Sequence, residues 1–405
     1  MTDLRRCASV EELREATAPI VHYFGREKPD EQWAERWLKN FPVDRMFGAF
    51  EDAAAVGGAG SFALRMTVPG GAVLPTAGVT VVGVLPTHRR RGILRSLMRK
   101  QLDDLHERGE PLGILWASEE TIYGRYGYGL ASLSVEFEVP RSHSGFGARF
   151  EPVGQVRLAD AEAAATLVPR VYDAVQRVTP GMFERTSSWW EYRLLADPPE
   201  FRGGGGPKLF AVLELDAQPQ AYAIHRLHVS FGSLGPETRL QALEVVGATP
   251  ETTASIWRYL LDVDWTQAIA ARLQPIDSPL LLLLARPNLA RPTISDGLWV
   301  RLVDVGAALS ARSYAADGAI LLELRDEFCP WNEGRWRVEG GEAARTDAEP
   351  DLALDVSDLG SVYLGGFTFR ELRRAGRVEE LRERAIARAD AIFRTDVAPW
   401  CPEIF

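Results

Sequence analysis

The chain has 405 residues, of which 46% are apolar and 25% charged, and its formal net charge is −10. That length predicts two or three cores, and the composition excludes disordered, collagen-like and membrane-embedded chains. The acidic balance argues against a nucleic-acid surface, which needs a basic footprint, and makes cationic small molecules the better partners.

In chain order, Met1–Arg6 leads into a polar, acidic stretch where a secretory signal would need an apolar core, so no export is expected and the cytoplasm is the expected location. Trp33 and Trp37 lie one helical turn apart, a spacing that suits core packing better than a substrate cleft. Val79–Val84 is a strand run, and Gly83 inside it marks a bulge or a close approach to a ligand. Leu85–His88 leaves the strand. From Ile93 the apolar residues Leu94, Leu97, Met98, Leu102 and Leu105 share one helical face, and Gly109 stops the helix. Leu133–Val139 alternates with period two and reads as another strand. The turn residues of Pro140–Gly147 then predict a domain linker.

Beyond the linker a hairpin is predicted from Leu209–Leu215 and Ala221–Val229 around Asp216–Pro219. Leu243–Ala248 reads as a strand, Thr249-Pro250-Glu251 as a helix start, and Ala254–Leu261 as its apolar-faced continuation. The strand-to-helix step of the first block thus recurs, without its arginines and glycine. A divergent tandem duplication is expected, the second copy having lost its cofactor. His225 and His228 stand at an odd offset on a strand and cannot share a metal. The longest aliphatic run, Leu280–Leu284, is far short of the ~20 residues of a bilayer span, so no membrane is expected. After Arg291-Pro292, strands at Ala319–Leu324, Trp336–Val338 and Leu352–Val356 and a helix near Val378–Phe393 predict a small α+β domain. Cys7, Cys329 and Cys401 fit neither a disulfide framework nor a zinc site, so free thiols and no metal are expected.

The chemistry concentrates at the first strand-to-helix step. A helix start carries unpaired N–H groups and the positive end of the macrodipole, so a diphosphate placed there finds donors. Gly92 allows the backbone to come close, and Arg90, Arg91 and Arg95 add charge-assisted bonds.

These residues resemble the acetyl-CoA loop of the GNAT acetyltransferases, Arg/Gln-x-x-Gly-x-Gly/Ala, here Arg89-x-x-Gly92-x-Leu94. Leu94 at the last place matches one branch, the Eis-type N-acetyltransferases. Those carry a Pro-Thr-His-Arg-Arg-Arg-Gly loop like Pro86–Gly92 and a Tyr-Gly-Arg-aromatic-Gly-Tyr-Gly run like Tyr123–Gly129. The resemblance implies a mixed α+β fold of tandem GNAT-like domains at 1–143 and 144–290, the second degenerate, followed by a sterol-carrier-like domain at 291–405. It further implies acetyl-CoA contacts from Val82, Gly83 and Val84, from Arg90, Arg91, Gly92, Ile93, Leu94 and Arg95, and from Ser118 and Glu119. A homohexamer is implied in the same way.

Direct acyl transfer to an amine needs an oxyanion stabiliser, an acid for the thiolate and a base for the amine. Backbone N–H groups of Val82–Val84 can serve as the first. A tyrosine, ordinarily at a pKa of about 10, is close enough to a thiol at about 8.5 for the second, and Tyr123, Tyr126 and Tyr128 all compete for it. The resemblance favours Tyr123. It also implies that the terminal α-carboxylate of Phe405, at the end of the apolar, proline-stiffened Pro399–Phe405, is the base. The expected activity is acetylation of primary amines of an aminoglycoside-like or polyamine substrate, or of lysine. The alternative is a non-catalytic protein that senses acyl-CoA or binds an apolar ligand.

Overall fold

A computed structural model describes residues 2–52, 54–233 and 235–405. They form two compact units, the first made of residues up to Ser132 with Leu298–Asp396 and Ile404–Phe405, the second of Leu133–Gly297 with Val397–Glu403.

The first unit is built on a seven-stranded sheet. Its strands lie in the order Asp3–Arg6, Met46–Glu51, Ala54–Thr67, Val73–Val84, Leu112–Trp116, Leu298–Leu302 and Gly129–Leu130. Val73–Val84 and Leu112–Trp116 are parallel, which requires a crossover. Helix Ile93–Glu107 supplies it, and Ile93, Leu97, Met98, Leu102 and Leu105 are buried at the spacing the sequence predicts. Gly109, at φ +69°, follows its end. Helix Val10–Tyr23, capped by the Ser9 side chain on the Glu12 N–H, packs on the strands Ala54–Thr67 and Val73–Val84. Its seat is the cross-strand pair Gly58–Gly83, since a Cβ on Gly83 would lie 2.9 Å from the Cα of Ile20. Trp33 and Trp37 stack with centroids 4.9 Å apart, and Trp37 meets Phe62 at 5.1 Å, so this pair joins an aromatic cluster.

The same unit holds a five-stranded sheet ordered Glu342–Arg345, Gly334–Glu339, Ala319–Arg325, Leu352–Asp355 and Val378–Glu380. The helix predicted near Val378–Phe393 is in fact two elements. Val378–Glu380 pairs with Leu352–Leu354 as an edge strand, and helix Ala385–Phe393 starts only after Arg384 turns the chain at φ +65°. A buried Val378 on the sheet outweighs local helical preference, as tertiary context does for short segments.

The second unit repeats the first sheet strand for strand: Gln155–Ala159, Leu209–Leu215, Gln218–His228, Thr238–Gly247, Thr266–Pro275, Leu133–Pro140 and Thr293–Asp296. Thr238–Gly247 and Thr266–Pro275 are again parallel and joined by a helix, Pro250–Asp262. The repeat contains an exchange. Position six of the first sheet is Leu298–Leu302, which follows the second block in sequence, whereas position six of the second sheet is Leu133–Pro140, which follows the first block. The linker expected at Pro140–Gly147 therefore opens on the end of a strand and continues in a short 3-10 turn, Arg141–His143. The predicted hairpin is present, with Asp216 and Ala217 both at positive φ, as a two-residue turn of this hand needs, and its second strand starts at Gln218.

Glu403 is held inside this unit by charge and hydrogen bonding. Arg185 forks onto Glu244 at 2.6 and 3.0 Å and reaches Glu403 at 3.2 Å, while Trp189 and Arg193 donate to Glu403 at 2.8 and 3.1 Å.

His225 is buried and sits at a register shift beside Ile224, while His228 bonds Gln241 at 2.9 Å. No group of three or more His, Cys, Asp or Glu suited to a metal occurs among the described residues. Burial pushes His225 down to about 4, so its folded value lies below its unfolded one. Its contribution to stability is present above pH 6.5 and lost as pH falls toward 4, by up to about 3 kcal/mol. Urea unfolding at pH 7 and pH 4.5 checks this, and a His225→Phe chain should lose less stability across the interval than the native chain.

The three cysteines are free and buried. No helix among the described residues is long and apolar enough to cross a membrane.

Candidate functional site

The site is organised by strand Val73–Val84. Against its antiparallel neighbour, Gly58 pairs with Gly83 and Gly60 with Thr80, so Ala59 faces two residues, Val81 and Val82. This bulge puts Val81 at φ +49°, an outlier for a β-branched residue. The extra residue reverses which side chains face which way. Before it, Ala77 and Val79 pack with Met98 and Leu102 of the crossover helix; after it, Val82 and Val84 take that face. Gly78 and Thr80 lie on the opposite face before the bulge, and Gly83 after it. The sequence reads Gly83 as a bulge or a close approach to a ligand. The structure puts the bulge at Val81–Val82, and one face of Gly83 is closely approached by helix Val10–Tyr23.

Pairing with Leu112–Trp116 stops at Gly78–Ile114, so Val82–Val84 keep a partner strand on one side only. An extended ligand can pair along the other side. Tyr23 donates its hydroxyl to the Val84 carbonyl at 2.7 Å and fixes the strand where it leaves the sheet.

The chain then turns through Pro86–His88, with Arg90 at φ +63° and Gly92 at φ +79°. A Cβ on Gly92 would meet no atom within 4 Å, so glycine is needed here for its left-handed φ. Gly92 is the N-cap of a 15-residue helix and gives it no side-chain cap, so the first N–H groups keep their donor capacity. Arg90 and Arg95 are exposed beside them. Arg91 lies 3.5 Å from Glu51, which also meets His88 at 3.2 Å. The Thr2 hydroxyl, with His88 and Arg91, holds the Glu51 carboxyl below the usual range. Arg95 and Arg99 lie over the Phe328 ring at 5.3 and 4.0 Å. Uncapped donors, guanidinium groups and the dipole end together fit a diphosphate. The equivalent helix of the second unit does not. There Thr249 and Thr252 form a reciprocal capping box, Pro250 removes an N–H, and Glu251 adds negative charge.

Ser118 and Glu119 are exposed just after Leu112–Trp116 and before the short helix Glu120–Tyr123. Tyr123 ends that helix, buried in the cluster that includes Val79 and Met98, with its ring edge-on to Tyr128 at 6.0 Å. Burial, aided by Tyr126 and Glu119, pushes Tyr123 up to about 12. The gap to a thiol is thus wider than an ordinary tyrosine offers. Tyr126 packs on Phe328 at 5.0 Å, and the Tyr128 hydroxyl is fully buried.

Phe405 reaches the same strand from the other face. The Thr80 hydroxyl donates to its main-chain oxygen at 3.2 Å, and its ring lies 3.1 Å from where a Cβ on Gly78 would sit. One strand therefore carries the Tyr123 cluster on one face and Phe405 on the other, with the bulge immediately beyond. Sequence reasoning did not single out Thr80, Tyr23, Glu51 or Phe328. Each matters through a contact with a distant segment, and none carries a local motif.

Models of acetyltransferase (GNAT) domains match residues 5–131 and 181–302, and a sterol carrier protein domain matches 305–402. An uncharacterized N-acetyltransferase of Streptomyces coelicolor is 41% identical over 95% of each chain. The N-acetyltransferase Eis of Mycobacterium tuberculosis is 34% identical over 94% of this chain and 93% of its own. The crystal structure of Eis1 from Mycobacterium abscessus superposes over the full length of both chains with a TM-score of 0.84 at 32% identity. Two acetyltransferase domains and a sterol-carrier domain in that order, with such identity along nearly the whole chain, make this protein a member of the Eis family of GNAT N-acetyltransferases.

Proposed function

We propose that the protein transfers an acetyl group from acetyl-CoA to a primary amine of a polycationic small molecule, aminoglycoside-like or polyamine, or to lysine. The observation that carries this reading is the convergence of Tyr123, Phe405 and the bulged segment Val82–Val84 on one strand. The contacts proposed for acetyl-CoA are Val82, Gly83 and Val84, the helix start Arg90–Arg95, and Ser118 with Glu119. Acetyl-CoA supplies the acetyl thioester. Backbone N–H groups of Val82–Val84 polarise the acetyl oxygen, and the Phe405 α-carboxylate attracts the cationic substrate and takes the proton of the attacking amine. Tyr123, held up to about 12, stays protonated at working pH. It serves the leaving sulfur as a hydrogen-bond donor, because full transfer to a thiolate of pKa about 8.5 is uphill. Self-association as a homohexamer and a cytoplasmic location belong to the same reading.

The test is CoA release with a panel of aminoglycosides, polyamines and lysine peptides. Tyr123→Phe should lower kcat by about 10²-fold with little change in acceptor KM. The native chain should show no loss of rate from ionisation of this phenol between pH 8 and 10. Acetyl-CoA binding without turnover on any amine would instead favour a sensor of acyl-CoA.

A further inference from the structure

The strand that holds the site also holds Phe405, through a side chain that no motif marks. We infer that Thr80 is a positioning residue for the Phe405 carboxylate; this rests on the reading of that carboxylate as the base.

Three observations lead there. Thr80 is the last residue before the bulge, so its side chain still points to the face of Gly78, whereas the register beyond it is reversed. On that face its hydroxyl donates to the Phe405 main-chain oxygen at 3.2 Å. Two residues earlier, the absence of a side chain on Gly78 leaves space that the Leu64 side chain and the Phe405 ring share, at 2.6 and 3.1 Å from the position a Cβ would take, so the ring lies against the strand. Among the contacts of the terminal residue are two spaced like alternate residues of a strand: its ring at 78 and its oxygen at 80. Together they fix the direction in which the second carboxylate oxygen is presented. A hydroxyl donor suits this place, since it bonds one oxygen without neutralising the charge as a lysine or arginine would.

The position bears on rate because a base must lie within hydrogen-bond reach of the proton it accepts, and a misplacement of about 1 Å can cost up to about 10²-fold. Thr80→Val keeps the branched shape and removes the donor. It should lower kcat about 10-fold while acetyl-CoA affinity, measured by calorimetry, stays within about twofold. Thr80→Ser should recover most of the rate.

Two further readouts separate positioning from a general structural role. Carboxypeptidase should release Phe405 several times faster from the Thr80→Val chain than from the native or Thr80→Ser chain, with the thermal midpoint unchanged. In a chain extended by two glycines after Phe405, Thr80→Val should cause little additional loss of kcat, because the carboxylate it positions is already displaced. An equal loss from Thr80→Val in native and extended chains, or unchanged carboxypeptidase release, would overturn the inference. If extension itself leaves turnover intact while Thr80→Val still frees the tail, the anchor stands and the base assignment fails.

Discussion

Adding two glycines after Phe405 should lower kcat by about 10²–10⁴-fold, the range expected when a general base is lost. The extension turns the Phe405 carboxylate into a neutral amide and carries the new terminal charge up to about 7 Å along the chain. The helix start Arg90–Arg95, proposed above to hold the diphosphate, is untouched, so acetyl-CoA affinity should hold, and the loss should fall on kcat and on the affinity for cationic acceptors. Steady-state kinetics with saturating acetyl-CoA, together with calorimetry for both ligands, check it. Native turnover by the extended chain would remove Phe405 from the chemistry. It would leave the Tyr123 assignment standing.

The largest stability effect should come from a buried ion pair. Arg301, on the exchanged strand Leu298–Leu302, donates to both oxygens of Asp326 at 2.6 and 2.8 Å, and both side chains are fully buried. Asp326 also accepts from the Cys329 N–H at 2.9 Å and from Asn332 at 3.0 Å. Two other Arg301 nitrogens, Nε and Nη1, are buried without a hydrogen-bond partner among the described residues; the Cys329 thiol lies beside the guanidinium, and Asp326 is the carboxylate that compensates its charge. Asp326→Ala should therefore cost about 3–5 kcal/mol, because it leaves a buried charge uncompensated. The double variant Arg301→Met, Asp326→Leu should cost less, since it removes both charges and keeps volume. Urea denaturation of the three chains measures this. A loss under about 1 kcal/mol for Asp326→Ala would show that water reaches the pair.

What the sequence discloses and what it hides divide along the range of the interactions. Helix Ile93–Glu107 is legible because a buried face repeats at helical spacing, and the start of helix Pro250–Asp262 because Thr-Pro chemistry is local. The Asp216-Ala217 turn is legible for the same reason. The bulge at Val81 is not, because it is a property of register between two strands and leaves no mark on Val81 itself. Segment 378–393 misleads because a three-residue strand is too short to show its period. In the candidate site, the Arg-Gly loop at Pro86–Gly92 and the tyrosine run at Tyr123–Gly129 are contiguous motifs. The bond from Thr80 to Phe405 joins residues 325 positions apart, beyond the reach of any pattern in a single sequence.

The exchanged sixth strands also set a timetable for synthesis. The first sheet cannot place Leu298–Leu302 beside Leu112–Trp116 until the whole second block has been translated. Roughly 180 residues separate these strands, which at about 5–20 residues per second leaves the edge of Leu112–Trp116 uncovered for about 10–40 s. An edge that lacks its native partner is a template for pairing with another chain, so it is open to such pairing in that interval. Slowing translation between the two strands should lengthen the hazard and lower the soluble yield, even though the finished protein would be the same.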